Sequence, residues 1–148
     1  MIVLDTNVLS ELMRPVPDAR VVVWLDRQDA TAVAISAITV AEILYGVERL
    51  PDGRRKRSFA AMAAEMFEED FADRIMPFDS EAAIHYAEQV AASERGGKQV
   101  HMADAQIAAI CIKYGAVLAT RNIKDFETLS VETINPWAIP PEENIAHT

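Results

Sequence analysis

The stretch Met1-Ile2-Val3-Leu4-Asp5-Thr6-Asn7 decides the fold. A short apolar run closed by an acid reads as a buried strand that ends at Asp5. Thr6 to Met13 then reads as a short helix, halted by Pro15 and Pro17. The same alternation continues along the chain. Asp18 caps a helical stretch from Ala19 to Leu25, and Ala32 to Ile35 is the second strand. Ser36 or Thr39 caps a helix to about Leu50, ended by Pro51-Asp52-Gly53. Phe59, Met62, Ala63, Met66 and Phe67 keep helical spacing. Ile75 to Phe78 is a third strand, and Asp79 or Ser80 caps a helix through about Glu94, stopped by Gly96-Gly97. Ala103 to Tyr114 is a further helix with Gly115 behind it. Ala116 to Ala119 and Val131 to Ile134 are the last strands. Apolar strands alternating with helices specify a central parallel sheet covered on both faces, a three-layer α/β/α sandwich. From Pro136 onward three prolines make the chain read as loose, so the sequence divides into a domain, 1–137, and a tail, 138–148.

The chain has 148 residues, the size of one domain, and at 51% hydrophobic and 25% charged it is globular. Lys and Arg number 14 against 23 Asp and Glu, a net charge of −9 shared between both halves of the sequence. Such a chain is no general DNA-coating protein. A nucleic-acid substrate stays open, because bound metal ions reverse the local sign of a site. The single Cys111 excludes an internal disulfide and a cysteine zinc cluster; its spacing with Ile107, Ile110 and Tyr114 makes it a core residue. His85, His101 and His147 lack ligand spacing and read as structural or surface groups. No apolar run reaches membrane-spanning length, and Asp5 comes too early for a signal peptide, so the expected setting is the cytoplasm. The run Arg54-Arg55-Lys56-Arg57 is a solvated helix entrance or a binding patch. Glycine-rich nucleotide loops, a nucleophile elbow and a zinc-protease helix motif are all missing from the sequence.

The chemistry lies in carboxylates set among apolar residues. Asp5 stands at the end of the first strand, where open parallel sheets place their sites. Glu42 shares a helix face with Ile38, Ala41 and Tyr45, and Asp104 with Ile107 and Cys111. An ionised carboxylate on a buried face is unfavourable unless it is paired or binds a metal. Singly, Asp5 also reads as a helix N-cap, Glu42 as an ion-pair partner and Asp104 as a first-turn acid. Together they suggest one acidic pocket whose oxygen donors suit Mg²⁺ or Mn²⁺.

Four blocks then occur in order: Asp5-Thr6-Asn7-Val8-Leu9, Ser36 to Ile43, Ala103 to Ala109, and Thr120 to Phe126, followed by Asn135-Pro136-Trp137. With these blocks the chain resembles the PIN-domain ribonucleases of the VapC/FitB toxin type, from Met1 to about Trp137. The resemblance implies a PIN-like α/β/α fold and a Mg²⁺-dependent endoribonuclease, with Mn²⁺ as the substitute. It assigns Asp5, Glu42 and Asp104 to catalysis and metal binding. The family often has a further acid where this chain has Asn122, so Asp125 either supplies that charge or only orders the loop. Thr6 and Thr39 are candidates to orient the carboxylates. Arg121, Lys124, Arg54 and Arg55 are candidates for RNA contact. No protein nucleophile is implied; an activated water attacks phosphorus, leaving a 5′ phosphate and a 3′ hydroxyl. The implied partners are an RNA substrate, a small DNA-binding antitoxin and a second copy of the chain. The second copy joins as a homodimer or as a dimer of toxin–antitoxin heterodimers. Apolar surface from Phe59 to Phe71 and from Ile38 to Leu50 is the expected dimer contact. DNA binding belongs to the antitoxin. Two other readings remain: a PIN nuclease of RNA processing outside a toxin pair, and a catalytically weakened partner-binding module, which Asn122 favours.

Overall fold

The computed structural model describes residues 1–139. Five strands, β1 (Ile2–Leu4), β2 (Val33–Ser36), β3 (Ile75–Met76), β4 (Val117–Ala119) and β5 (Thr133–Ile134), form one sheet in the order β3-β2-β1-β4-β5. Every neighbouring pair is parallel. The sequence expectation of a parallel three-layer α/β/α domain therefore holds. Parallel pairing requires crossovers, and six helices supply them: α1 (Thr6–Leu12), α2 (Ala19–Asp26), α3 (Ala37–Glu48), α4 (Arg54–Glu65), α5 (Ser80–Arg95) and α6 (Met102–Tyr114). Among the described residues no helix is long and apolar enough to cross a membrane.

Strand alternation explains the two cores. Leu4, Ile35 and Ala119 point to one face, where they meet Val8, Leu9, Val21, Trp24, Ile43, Ala63 and Phe71. Val3, Ala34 and Leu118 point to the other, against Ile107, Ala108, Cys111 and Phe126. Side chains that alternate in this way fill two layers from three-residue strands. Cys111 is a core residue, as its spacing indicates, and burial pushes its thiol up to about 12.

Local chemistry sets the boundaries. Asp18 accepts a hydrogen bond from the Arg20 N–H at the start of α2, and Asp79 accepts one from the Ala82 N–H at the start of α5. Asp79 also pairs with the Lys113 ammonium on α6, tying the two helices of the outer layer together. Ser36, rather than Thr39, caps α3, because its Oγ accepts from the Thr39 N–H at 3.1 Å. Gly115 ends α6 at φ +62°, a left-handed turn that a Cβ disfavours. The edge strand β3 is shorter than the sequence suggests because Pro77 has no N–H for the ladder.

Two surface readings need correction. The α3 face bearing Ala41, Glu42 and Tyr45 is exposed, with Tyr45 64% accessible, whereas Thr39, Ile43 and Val47 make the buried stripe. The three share a helical face, but it is the next face round that meets the sheet. The stretch Phe59 to Phe71, by contrast, is only partly exposed, with Phe71 buried. Phe59, Met62, Met66 and Phe67 pack against the first core, the last two on a π-helical turn at Met66–Asp70 that follows α4. The four basic residues open α4 as a solvated entrance, where Lys56 meets Glu48 and Asp52. Near the C-terminus, Pro136 and Trp137 are buried and Ile139 packs on the first core, so the chain is held past the point at which it reads as loose. Of the expected tail, 140–148 lies outside the described residues, and His147 with it.

Leu4 is fully buried at the centre of the sheet. Leu4→Ala is expected to lower unfolding stability by about 2–5 kcal/mol. A urea midpoint unchanged from the parent chain would contradict this assignment of the core.

Candidate active site

The site follows from the topology. The chain leaves β1 toward β2 on one side, and β4 lies on the other, so the strand order reverses at β1. Open parallel sheets form a crevice at such a point, beyond the carboxyl ends of the strands. In register, Leu4 stands opposite Ile35 and Ala119, so Asp5, Ser36 and Thr120, the next residue in each chain segment, lie at one level at the strand ends. A cleft of about 540 Å³ opens there. Asp5, Thr6, Asn7, Glu11, Arg14, Glu42, Asp104, Arg121, Asn122 and Trp137 are among its walls.

Asp5 is the fixed point of the cleft. It is 5% exposed and caps α1, its Oδ1 accepting from the Thr6 N–H at 2.8 Å. Its Oδ2 accepts from the Thr120 hydroxyl at 2.7 Å and from the Asn7 amide at 3.3 Å. Burial raises its pKa, and the Thr120 and Thr6 hydrogen bonds oppose the rise. Asp5 is thus both the N-cap of α1 and a wall of the cleft. Glu42, exposed on α3, accepts from the Thr6 hydroxyl at 2.6 Å, and Thr6 also lies 3.0 Å from the buried Thr39 hydroxyl. Asp104 is half-buried in the first turn of α6. Its carboxyl rises to about 6, first through burial and then through repulsion by Asp5 and Asp125.

Asp5, Glu42 and Asp104 therefore share one cleft, as the sequence indicates, and Asn122 joins them. Asp125 is exposed on the 3₁₀ turn Ile123–Phe126; its charge reaches Asp5 and Asp104 although it does not line the cleft. Lys124 sits on the same turn, away from the lining. Arg55 belongs to a neighbouring apolar groove, with its guanidinium over the Phe59 ring, and Arg54 stands beside it on α4. Of the four expected RNA contacts, only Arg121 reaches the acidic cleft. His101 precedes α6 and its charge is felt by Asp104.

Three functional neighbours escape the sequence reading. Thr120 is fully buried and joins Asp5 to the backbone N–H of Asn122, which donates to the Thr120 hydroxyl at 3.1 Å. Asn7 links Asp5 and Thr120 through its amide, and its Oδ1 accepts from the Arg121 N–H at 3.2 Å. The spacing Asp-x-Asn and the strand-end position of Thr120 were the available signals. Glu11, 6% exposed, accepts from the Asp18 N–H at 3.1 Å and from Arg14 at 3.4 Å; one acid in a short helix carried no signal.

Among the described residues, no Lys or Arg forms an ion pair with Asp5, Glu42 or Asp104. Nor do any three acidic, His or Cys side chains stand close enough to grip a metal as they lie. Like charges without a counter-ion stay apart, and here Glu42 turns to Thr6 while Asp5 turns to Thr120. The donors are hard oxygens, and mutual repulsion contributes to the raised Asp5 and Asp104 pKa values. Donor chemistry and unbalanced charge both fit a hard divalent cation.

The Asp104 shift has a consequence for stability. Its carboxyl takes up a proton on folding between about pH 4 and pH 6, since it rises from 3.8 to about 6. The native state therefore loses stability as pH climbs through that window. In EDTA, Asp104→Asn is expected to be more stable than the parent by about 1 kcal/mol near pH 7.5, allowing for solvent screening, and to match it near pH 3.5. Urea unfolding at the two pH values measures this, and a pH-independent difference would exclude it.

Comparison with known proteins agrees with this fold. The PIN domain family model matches residues 2–131. The VapC ribonuclease Y4jK of Sinorhizobium fredii is 40% identical over 137 residues, covering 93% of this chain and 98% of that protein. The toxin FitB of Neisseria gonorrhoeae is 41% identical over 137 residues, covering 93% of this chain and 99% of its own. The solved structure of FitAB bound to an IR36 DNA fragment matches with a TM-score of 0.88 at 40% identity, over 95% of this chain and 98% of that one. By sequence and by fold, this chain belongs to the PIN-domain family, in the VapC/FitB toxin branch.

Proposed function

We propose that the chain is a metal-dependent endoribonuclease and the toxin of a type II toxin–antitoxin pair, with Mg²⁺ as its cation and Mn²⁺ as a substitute. The observation that carries this reading is the cleft itself. Asp5, Glu42 and Asp104 converge at the strand ends, and no basic partner among the described residues neutralises them. Asp5 and Asp104 would hold the cation, with Glu42 completing the set. When bound, a divalent ion lowers the pKa of a water and polarises the scissile phosphate.

The protein's own groups do the rest. Thr120 and the Thr6 N–H fix both oxygens of Asp5, so its lone pairs present one constant direction. Thr6, supported by Thr39, holds Glu42 at the mouth, where its carboxylate orients the attacking water. Asn122 contributes a neutral carbonyl where a further acid would carry charge, so a second cation is held weakly. Asp125 restores part of that charge from the rim. The antitoxin silences the site with an Arg or Lys that takes the cation's place among the carboxylates. A second copy docks on α3, where Leu44 and Tyr45 are exposed apolar side chains. Localisation in the cytoplasm belongs to the same reading.

Asp5→Asn and Asp104→Asn are each expected to cut Mg²⁺-dependent RNA cleavage by at least ~100-fold with folded circular dichroism spectra, and EDTA is expected to abolish cleavage by the parent. Parental rates in either variant would refute the site. Thr120→Val preserves shape and removes the hydroxyl. It is expected to weaken Mg²⁺ affinity about 10–100-fold, read as a shift in the Mg²⁺ midpoint of cleavage. An unmoved midpoint would make Thr120 a packing residue only.

A further inference from the structure

The cleft that gathers the acids also contains two cations, and they differ in how they are held. Arg14 is largely exposed and rests weakly on Glu11 at 3.4 Å. Arg121 forms no ion pair among the described residues, yet it is the better fixed. Its guanidinium lies 5.0 Å from the centroid of the Trp137 ring. Its N–H donates to Asn7, which also touches Asp5. Trp137 is itself anchored, its N–H donating to the Asn135 side chain at 2.9 Å and its carbonyl accepting from Arg20 at 2.9 Å. Asp18 grips the other edge of that Arg20 guanidinium.

The Trp137 ring N–H is buried without an acceptor among the described residues. Leaving a donor unpaired is unfavourable, and a wholly apolar side chain would carry none. What tryptophan adds is a wide π face over which a guanidinium rests, and the Arg121 guanidinium donors make no hydrogen bond among the described residues. A cation held in this way at the edge of an acidic cleft is arranged for an anion brought from outside. RNA brought to a −9 chain presents such anions on both sides of the bond to be cut.

We infer that Arg121 grips a backbone phosphate of the RNA next to the scissile one, and that Trp137 is the positioning residue that holds it there. This rests on the ribonuclease reading of the cleft. The clamp binds through charge and fork geometry and carries no base preference of its own. It acts on substrate capture and leaves the hydrolytic step to the acids.

Bulk bacterial RNA digested by the parent chain in Mg²⁺ and end-mapped supplies the probe; kcat, KM and their dependence on KCl are then measured on the mapped fragment. Arg121→Ala is expected to raise KM about 10-fold, leave kcat within about 3-fold, and reduce the slope of log(1/KM) against log[salt] by about 0.7, one single-strand phosphate contact. Arg121→Lys is expected to recover the salt slope and only part of the KM. Trp137→Leu is expected to raise KM with the slope retained, and Trp137→Phe, which keeps an aromatic face, to restore it. Arg121→Ala with parental KM and slope overturns the clamp while the parent still cuts RNA. Equal KM effects from Trp137→Leu and Trp137→Phe overturn the positioning role. A parent chain that cuts no RNA in Mg²⁺ overturns the ribonuclease reading, and the clamp with it.

Discussion

A carboxylate buried at the end of the central strand is the constraint on which the molecule turns. Asp5 is 5% exposed, and its charge survives there only because neighbours replace water. The Thr6 N–H comes from the helix that Asp5 starts. The Thr120 hydroxyl comes from the strand paired beside it, and Asn7 spans the two. One interaction therefore joins β1, α1 and β4, and the Asp5 N–H closes it by donating to the Ala119 carbonyl at 2.9 Å. The reversal of strand order at β1 and the position of the cleft are the same fact seen at two scales.

Much of this was legible in the sequence, and the reasons are local. A four-residue apolar run ending in an acid fixes a strand end, because backbone and burial agree on it. Asp104 was legible because Ile107 and Cys111, one and two turns on, are buried, so the carboxylate stands where their face begins. Spacing places Glu42 on a buried face, whereas Ala41 and Tyr45 are exposed and the carboxylate reaches the cleft from α3 through Thr6. Apolar composition alone did not rank the faces of α3, since most of its residues are apolar.

The Thr6 and Thr39 contacts follow from their places beside Asp5 and Glu42, whereas those of Thr120 and Asn7 were illegible for a different reason. Thr120 lies 115 residues from Asp5, and only the β1–β4 register brings its hydroxyl to that carboxylate. Sequence spacing reports helix faces and strand ends; it does not report which strands are neighbours. The same limit hides Trp137, whose partners Arg20 and Arg121 come from α2 and from the loop after β4. It also explains why four basic residues read alike. Arg54 and Arg55 open α4, far along the chain from the strand ends, and pairing order alone separates them from Arg121.

The unbalanced charge of the cleft links stability to occupancy. Burial and repulsion raise Asp104 to about 6, so near neutral pH the ionised native state is less stable than its packing alone would make it. Anything that brings positive charge among the acids relieves that repulsion and stabilises the fold by the free energy of its binding. A divalent ion does so with hard oxygen contacts; a guanidinium does so with a fork of donors matched to carboxylates. Both need the same space and the same charges, so under the proposed function they exclude one another. Activity and silence then differ only in which cation fills the cleft, and neither requires the sheet to move. Arg121 stays outside this exchange because Trp137 holds its guanidinium at the rim, where it adds positive charge for an incoming phosphate without neutralising the acids.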